Sequence, residues 1–178
     1  AAWERTSSSE ERADHVFHTV RWRDPETGLT VTAEVKTFRQ TPAAEWVLYF
    51  ENQGDADTPI IEGIQALDVS LRTGYGKRPT QIHQLRGDSC GELSFLPFST
   101  DLEAGRTYAM APTGGPPSSI SAFPFFNVQY DRGGAIVAVG WSGQWAATFE
   151  RAANGPTRLA AGMERTHLLL HPGERIRT

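Results

Sequence analysis

The stretch FPFFNVQYDRGGAIVAVGW, residues 123–141, carries the pattern that decides the fold class. Its two halves, 123–130 and 135–141, are rich in β-branched and aromatic residues, and the polar, glycine-containing segment 131–134 separates them. Strand-forming runs on either side of such a segment predict a β-hairpin.

The same alternation of strand and turn signals recurs in both directions along the chain. The runs 15–22 and 29–38 flank the turn DPETG and predict a second hairpin. Further strands are predicted at 46–52, 81–87, 144–151, 157–163 and 166–174, with loops at 72–80, 87–100 and 113–121. The segment 60–72 fits a short helix or an interrupted strand, and we favour a strand with a bulge at Gly63. Turn signals about every ten residues, with almost no amphipathic helix, predict an all-β, antiparallel sandwich or barrel that forms a single domain over residues 1–178.

Composition excludes several classes of function. The net charge is −4 with scattered arginines, which argues against a nucleic-acid partner. No apolar run is long enough to span a membrane, so no membrane partner is expected. Cys90 is the only cysteine and the histidines are not clustered, so neither a metal site nor a cofactor is predicted. The sequence does not indicate in which cellular compartment the protein acts.

The stretch GWSGQW, residues 140–145, places Trp141 and Trp145 on either side of a Ser-Gly turn. Sugars stack on flat aromatic rings, which makes the two tryptophans candidate carbohydrate-binding residues. The alternative is that both rings fill a core or a seam between domains, because aromatic side chains bury large areas. We favour packing.

Three segments together resemble a known family. The segments PPSSISAFPFFNVQYDRGGAIVAVGWSGQWAATFER (116–151), GMERTHLLLHPGERIRT (162–178) and ENQGDADTPIIEGIQALDVSLR (51–72) are similar to the N-terminal domain of family 36 glycoside hydrolases, the α-galactosidase type. The resemblance covers most of the chain and is strongest after Pro116.

The resemblance implies a β-sandwich of the supersandwich type that packs against a catalytic (β/α)₈ barrel. In that family two aspartates on barrel strands act as nucleophile and acid/base. This sequence has no alternation of strands and helices, so the barrel is expected beyond residue 178 and the chain alone is expected to be inactive. The implied partners are that barrel, an α-galactoside-type carbohydrate substrate and a second subunit in a homo-oligomer.

The resemblance also implies a role for the segment RGDSCGELSFLPF, residues 86–98, because a loop near this position reaches toward the active site in related enzymes. Asp88 would accept a hydrogen bond from a sugar hydroxyl, and Arg86 would donate one. The alternative is that Asp88 only caps a turn.

Three functional hypotheses follow. The first is a non-catalytic domain of an α-galactosidase-like glycosidase that packs on the barrel and helps wall the carbohydrate cleft. The second is an independent carbohydrate-binding module or lectin that uses Trp141 and Trp145. The third is a small enzyme with a site around Asp88, Cys90 and His83.

Overall fold

Antiparallel strands make up all the regular secondary structure of the part of the chain described by the computed structural model, residues 2–72, 79–88, 90–113, 119–130 and 133–178. The predicted all-β, antiparallel class is therefore confirmed. In chain order the strands are β1 (Glu4–Glu11), β2 (His15–Arg23), β3 (Leu29–Phe38), β4 (Ala44–Asn52), β5 (Ile61–Glu62), β6 (Leu67–Leu71), β7 (Thr80–Leu85), β8 (Pro97–Leu102), β9 (Thr107–Met110), β10 (Phe125–Tyr130), β11 (Gly133–Ala138), β12 (Trp145–Arg151), β13 (Thr157–Met163), β14 (His167–Leu168) and β15 (Arg175–Arg177).

Contacts divide the chain into two compact units, whereas the sequence predicts one domain over residues 1–178. Unit 1 consists of Ala1–Glu62 and Thr166–Thr178, and unit 2 is Gly63–Arg165. That residues 1–178 form a single domain therefore remains a prediction.

Unit 1 is built on a five-stranded sheet in the order β1-β2-β3-β4-β15, with a small second sheet of β14 and β5. Alternation along the strands places Trp22, Val31 and Phe50 side by side on one face. The opposite face is more polar, and there the guanidinium of Arg175 lies 4.0 Å from the ring centre of Tyr49. One apolar and one polar face are what the alternation in 15–22 and 29–38 predicts.

A buried amide fixes the end of β4 in unit 1. The Asn52 side chain donates hydrogen bonds to the carbonyl oxygens of Ala56 at 2.8 Å and Leu170 at 2.7 Å. It also accepts one from the Gly54 backbone N–H at 2.9 Å. A buried polar group left without its partner costs about 1–3 kcal/mol, so this residue holds the turn after β4 and the distant 170 segment together.

Unit 2 is a β-sandwich of two four-stranded sheets, β11-β10-β7-β8 and β6-β13-β12-β9. Alternate residues of both sheets enter one core, in which the rings of Phe126 and Phe149 meet edge to face at 5.3 Å. The buried core residues of unit 2 are Ile82, Leu102, Met110, Ala122, Phe126, Val128, Trp145, Ala147, Phe149, Leu159 and Ala161. The hairpin predicted from 123–141 is confirmed as β10 and β11, which pair from Phe125↔Ala138 to Tyr130↔Gly133.

Two predicted strands differ from the structure, one by being divided and the other by being much shorter. Segment 60–72 forms β5 and β6 in different sheets, and Gly63 separates them instead of forming a bulge. Gly63 has a φ of 64°, a left-handed conformation that interrupts extended backbone. Within 166–174 only β14 is a strand, and the chain turns at Gly173, with a φ of 82°, before β15.

Four strands, β1, β8, β9 and β15, were not predicted, and the first three lack the usual alternating pattern. Strand β1 is polar and exposed at every residue. Its extended conformation is stabilised by pairing with β2 along its whole length and not by a buried face. Strands β8 and β9 are short edge strands, β8 at the end of a segment predicted to be a loop. Parts of four predicted loops or turns, residues 73–78, 89, 114–118 and 131–132, lie outside the described residues.

Candidate functional site

The two tryptophans of GWSGQW occupy different environments in unit 2. Trp145 opens β12 and is 0% exposed, so its indole offers no surface to a ligand. Trp141 is partly buried and packs against the same core. The bend at Gly143 lets the Trp141 ring approach the backbone, because a Cβ at Gly143 would lie 2.7 Å from the Trp141 Nε1. Core packing is the interpretation that fits Trp145.

Asp88 caps the loop that follows β7. Its Oδ1 accepts hydrogen bonds from the Cys90 backbone N–H and the Ser94 hydroxyl, both at 2.8 Å. These bonds favour the charged carboxylate, so the Cys90 N–H above all, and then Ser94, lower the pKa of Asp88. The observed contacts therefore match the turn-capping alternative, and the sugar-binding role of Asp88 stays a prediction.

We call the loop between β7 and β8, described at residues 86–88 and 90–96, the Asp88 loop. Hydrogen bonds connect it and the end of β7 to a second loop, residues 119–123. The Asp88 N–H donates to the Ser119 carbonyl at 2.8 Å, and the Phe123 N–H donates to the Leu85 carbonyl at 3.2 Å. Gly87 lies so close to Ser119 that a Cβ at position 87 would overlap the carbonyl oxygen of Ser119. Only glycine fits this contact between the two loops.

Three non-glycine residues in these two loops adopt left-handed backbone conformations. The φ angles are 54° at Cys90, 59° at Phe95 and 62° at Ser121. Such a conformation costs a non-glycine residue about 1–3 kcal/mol and persists only where surrounding contacts enforce it. At Phe95 it accompanies an edge-to-face contact with Phe123, with ring centres 5.7 Å apart.

The other predicted residues near this loop, Arg86, Cys90 and His83, occupy separate environments. Arg86 is exposed, and its backbone N–H donates to the Leu96 carbonyl at 3.0 Å. Cys90 is exposed, whereas the two ring nitrogens of His83 form hydrogen bonds with Ser99 and Gln129, each at 2.7 Å. Both ring nitrogens of His83 are thus engaged by Ser99 and Gln129, and these contacts do not favour the hypothesis that His83 activates Cys90.

A groove of about 450 Å³ crosses the outer face of the sheet β11-β10-β7-β8. It is lined by His83, Gln84, Leu85, Pro97, Phe98, Ser99, Phe123, Phe125, Phe126, Asn127 and Ile136. Aromatic and aliphatic walls surround imidazole, amide and hydroxyl groups, and no lining residue is an aspartate, glutamate, lysine or arginine. The volume lies in the range of small-molecule sites.

Sequence reasoning missed this groove, although β10 contained a signal for it. Phe125 and Asn127 alternate with the buried Phe126 and Val128, so one face of the strand presents an exposed ring beside an amide. The sequence alone does not tell which face of a strand is buried when both faces carry apolar residues.

Exposed apolar side chains continue from the groove onto the Asp88 loop. We call this set the apolar surface; its members are Leu93, Phe95, Leu96, Phe98, Phe125 and Ile136. All six belong to unit 2, and Ile136 is the most exposed at 73%. A concentration of large exposed apolar side chains is typical of an interaction surface.

The described residues include no cluster of three or more potential metal ligands. Those residues likewise contain no helix that is long and apolar enough to cross a bilayer.

No protein-family model and no curated protein matches the sequence. Among solved structures, the chain is similar to the GH36 α-galactosidases AgaA and AgaB of Geobacillus stearothermophilus, with TM-scores of 0.75 and 0.74 and 18% sequence identity to each. It is also similar to the galactosidase domain of the α-galactosidase–sucrose kinase AgaSK, with a TM-score of 0.72 and 16% identity.

Each of the three similarities covers 99% of this chain but only 26% of the other. The chain thus has the fold of about a quarter of these proteins, and the resemblance predicted from the sequence is confirmed for the fold.

Proposed function

We propose that this chain is a non-catalytic domain of an α-galactosidase-like retaining glycosidase and forms part of a longer polypeptide. The observation that carries the proposal is the asymmetry of coverage, 99% of this chain against 26% of the α-galactosidases. A retaining glycosidase needs two carboxyl groups about 5–5.5 Å apart on either side of the scissile bond. No aspartate or glutamate lines the groove, and the adjoining loop carries Asp88, whose Oδ1 is already engaged in capping, and the exposed Glu92.

The apolar surface supports a structural role for this domain. Water contact with Phe95, Phe125 and Ile136 is unfavourable, and a catalytic barrel packed on that surface would remove it. The adjoining Asp88 loop would then lie beside the barrel, where the exposed Arg86 would donate to a carbohydrate in the cleft. In this proposal residues 1–178 act as one domain and the substrate is an α-galactoside.

The test is to read the coding sequence past Thr178 and to assay both products on a chromogenic α-galactoside. We expect a longer reading frame with strand-end aspartates, hydrolysis by the long protein and none by residues 1–178. The isolated chain should also enhance the fluorescence of an apolar dye, and a Phe95→Ser, Phe125→Ser double variant should reduce it. A matched Trp3→Ser control should keep the enhancement, because Trp3 lies in unit 1. Hydrolysis by the 178-residue chain alone, or a stop codon directly after Thr178, would contradict the proposal.

The groove favours a second candidate, a carbohydrate-binding module. The exposed Phe125 ring provides an apolar face, while Asn127 and Ser99 provide neutral hydrogen-bonding groups, a combination suited to the uncharged, amphipathic surface of a sugar. This candidate no longer uses Trp145, which is buried.

Titration calorimetry with galactose and melibiose tests the second candidate directly. It predicts a Kd in about the micromolar to millimolar range and at least about tenfold weaker binding by Phe125→Ala. Trp46→Ala, an exposed aromatic in unit 1, should bind normally. No heat of binding with the wild-type chain would rule the module out.

A further inference from the structure

The turn between β12 and β13 carries the only Asn-Gly pair of the sequence, Asn154-Gly155. The strands on both sides of this turn are fixed, because Arg151 and Thr157 form the last pair of the ladder and both are buried. Asn154 lies in the middle of the turn and is exposed. Its side-chain amide is therefore in contact with water at the tip of an otherwise well-packed hairpin.

The backbone nitrogen of Gly155 is accessible to that side chain. A Cβ placed at Gly155 would have one neighbour within 4 Å beyond the adjoining residues, the Cβ of Ala152 at 3.2 Å. Among the described residues nothing accepts a hydrogen bond from the Gly155 N–H, whereas the Ala152 N–H donates to the Pro156 carbonyl at 3.2 Å. Glycine has no side chain to shield its nitrogen, and it tolerates the backbone rotation that brings this nitrogen toward the preceding side chain.

We propose that Asn154 is a site of spontaneous deamidation, with the Gly155 nitrogen as the internal nucleophile and water as the only co-reactant. The Gly155 nitrogen gives up its proton and forms a bond to the Asn154 side-chain carbonyl carbon. The bond from that carbon to the side-chain nitrogen breaks, and this nitrogen takes a proton and leaves as ammonia. Water then opens the five-membered succinimide ring at either carbonyl, which gives aspartate or isoaspartate and adds one negative charge. The inference does not rest on the proposed function.

The other two asparagines of the sequence lack this combination and serve as internal controls. Asn52 is buried, is followed by Gln53, and its amide is held by the three hydrogen bonds described above. Asn127 lies within β10, which pairs with both β7 and β11, and it is followed by the buried Val128. A backbone held in two ladders does not rotate to bring the Val128 nitrogen onto the Asn127 side chain.

Isoaspartate at position 154 changes the hairpin, because it routes the main chain through the side-chain carbon. The turn then holds one more methylene group between Arg151 and Thr157. Strands β12 and β13 are the two central strands of their sheet, and both contribute to the core of unit 2. Conversion should therefore loosen an element on which the whole sandwich depends.

Incubation of the full 178-residue chain at mildly alkaline pH, followed by peptide mass spectrometry, tests the proposal. The peptide that contains residue 154 should gain about 1 Da and yield isoaspartate as well as aspartate, and those that contain Asn52 and Asn127 should stay unchanged. The rate should rise with pH, because the attack needs the deprotonated nitrogen. Gly155→Ala should slow the conversion at least about tenfold, since the new methyl group shields that nitrogen.

Two further variants serve as controls, and circular dichroism checks that each is folded. Asn154→Gln should show no mass gain, because its longer side chain would have to close a six-membered ring. Gly140→Ala, at an open glycine of the same unit, should convert like the wild type. No mass gain at residue 154 overturns the proposal, as does aspartate without isoaspartate, which indicates direct hydrolysis. An equal gain at Asn52 or Asn127, or a rate that Gly155→Ala leaves unchanged, overturns it as well.

Urea unfolding measures the effect on the hairpin. The converted wild type should unfold at a lower urea concentration than fresh protein, whereas Asn154→Asp, which adds the charge but keeps the normal main chain, should unfold like fresh protein. Equal midpoints for all three would overturn the expected loosening of the hairpin.

Discussion

At the scale of single residues, backbone geometry decides what the sequence leaves open. The sequence offers packing and sugar contact as alternatives for Trp145, because the Ser142-Gly143 bend interrupts the alternation that would assign a face. The structure places Trp145 in the core of unit 2 with no exposed surface. For Asp88 the sequence predicts a sugar contact with turn capping as the alternative; the structure shows capping contacts, whose partners were not predictable. Ser94 is six positions away, and the Ser119 carbonyl comes from another loop.

Gly87→Ala should destabilise the protein by about 2–4 kcal/mol, since the new methyl group would overlap the Ser119 carbonyl and force the two loops apart. Urea unfolding followed by tryptophan fluorescence measures the loss. Gly140→Ala is the matched control: nothing lies within 4 Å of a Cβ there, so its free energy of unfolding should change by less than about 1 kcal/mol. Equal stabilities of the two variants would show that the close approach of the loops is absent in solution.

At the scale of elements, strands with a regular pattern were predictable and strands held mainly by neighbours were not. The predicted bounds of the third and thirteenth strands, 29–38 and 157–163, coincide with the observed ones because alternation and flanking turns agree there. Strand β1 has no apolar alternation, and only its partner β2 makes it a strand. The groove depends on side chains from β7, β8, β10 and β11, so it emerges only when the sheet order is known.

At the scale of the whole molecule, charge governs how stability responds to pH. Five carboxyl groups have a lowered pKa: Glu10 beside Arg12, Asp14 beside His15, Asp24 bonded by Thr27, Asp68 beside Arg158, and Asp88 bonded by the Cys90 N–H. His171 shows the opposite shift, because its hydrogen bond to Asp57 raises its pKa. All six groups belong to the described residues, and the stabilisation by the carboxyl groups is lost as pH falls whereas that by His171 is lost as pH rises.

Stability should therefore pass through a maximum between about pH 5 and about pH 6.5. A carboxyl group whose pKa is lower in the folded state stabilises fully above its unfolded pKa, and this contribution is lost as pH falls through the folded value. The His171 contribution is full below its unfolded pKa and is lost as pH rises through the raised folded value. Urea unfolding at about one-unit steps from pH 3 to pH 9 measures both limbs.

Two variants separate the limbs. Asp88→Asn should reduce the loss of stability on the acid side, and His171→Gln should flatten the decline on the alkaline side. Each effect should be small, because these groups are solvent-accessible and salt screens them. An alkaline decline that persists unchanged in His171→Gln would refute the assignment to this histidine.

Unit 1 is discontinuous in sequence, and this has a consequence for the order in which the chain folds on the ribosome. Unit 2 is one uninterrupted segment, complete once Arg165 has emerged. The sheet of unit 1 instead awaits β15, whose residues 175–177 pair with residues 49–51 of β4. Until residues 175–177 leave the exit tunnel, β4 has an open edge in the nascent chain, while the sandwich synthesised after it can already be folded. Strands β1 to β4 are thus synthesised before unit 2 but completed after it, and a translational pause before residue 175 would prolong the interval in which they are vulnerable to chaperones, proteases and mispairing.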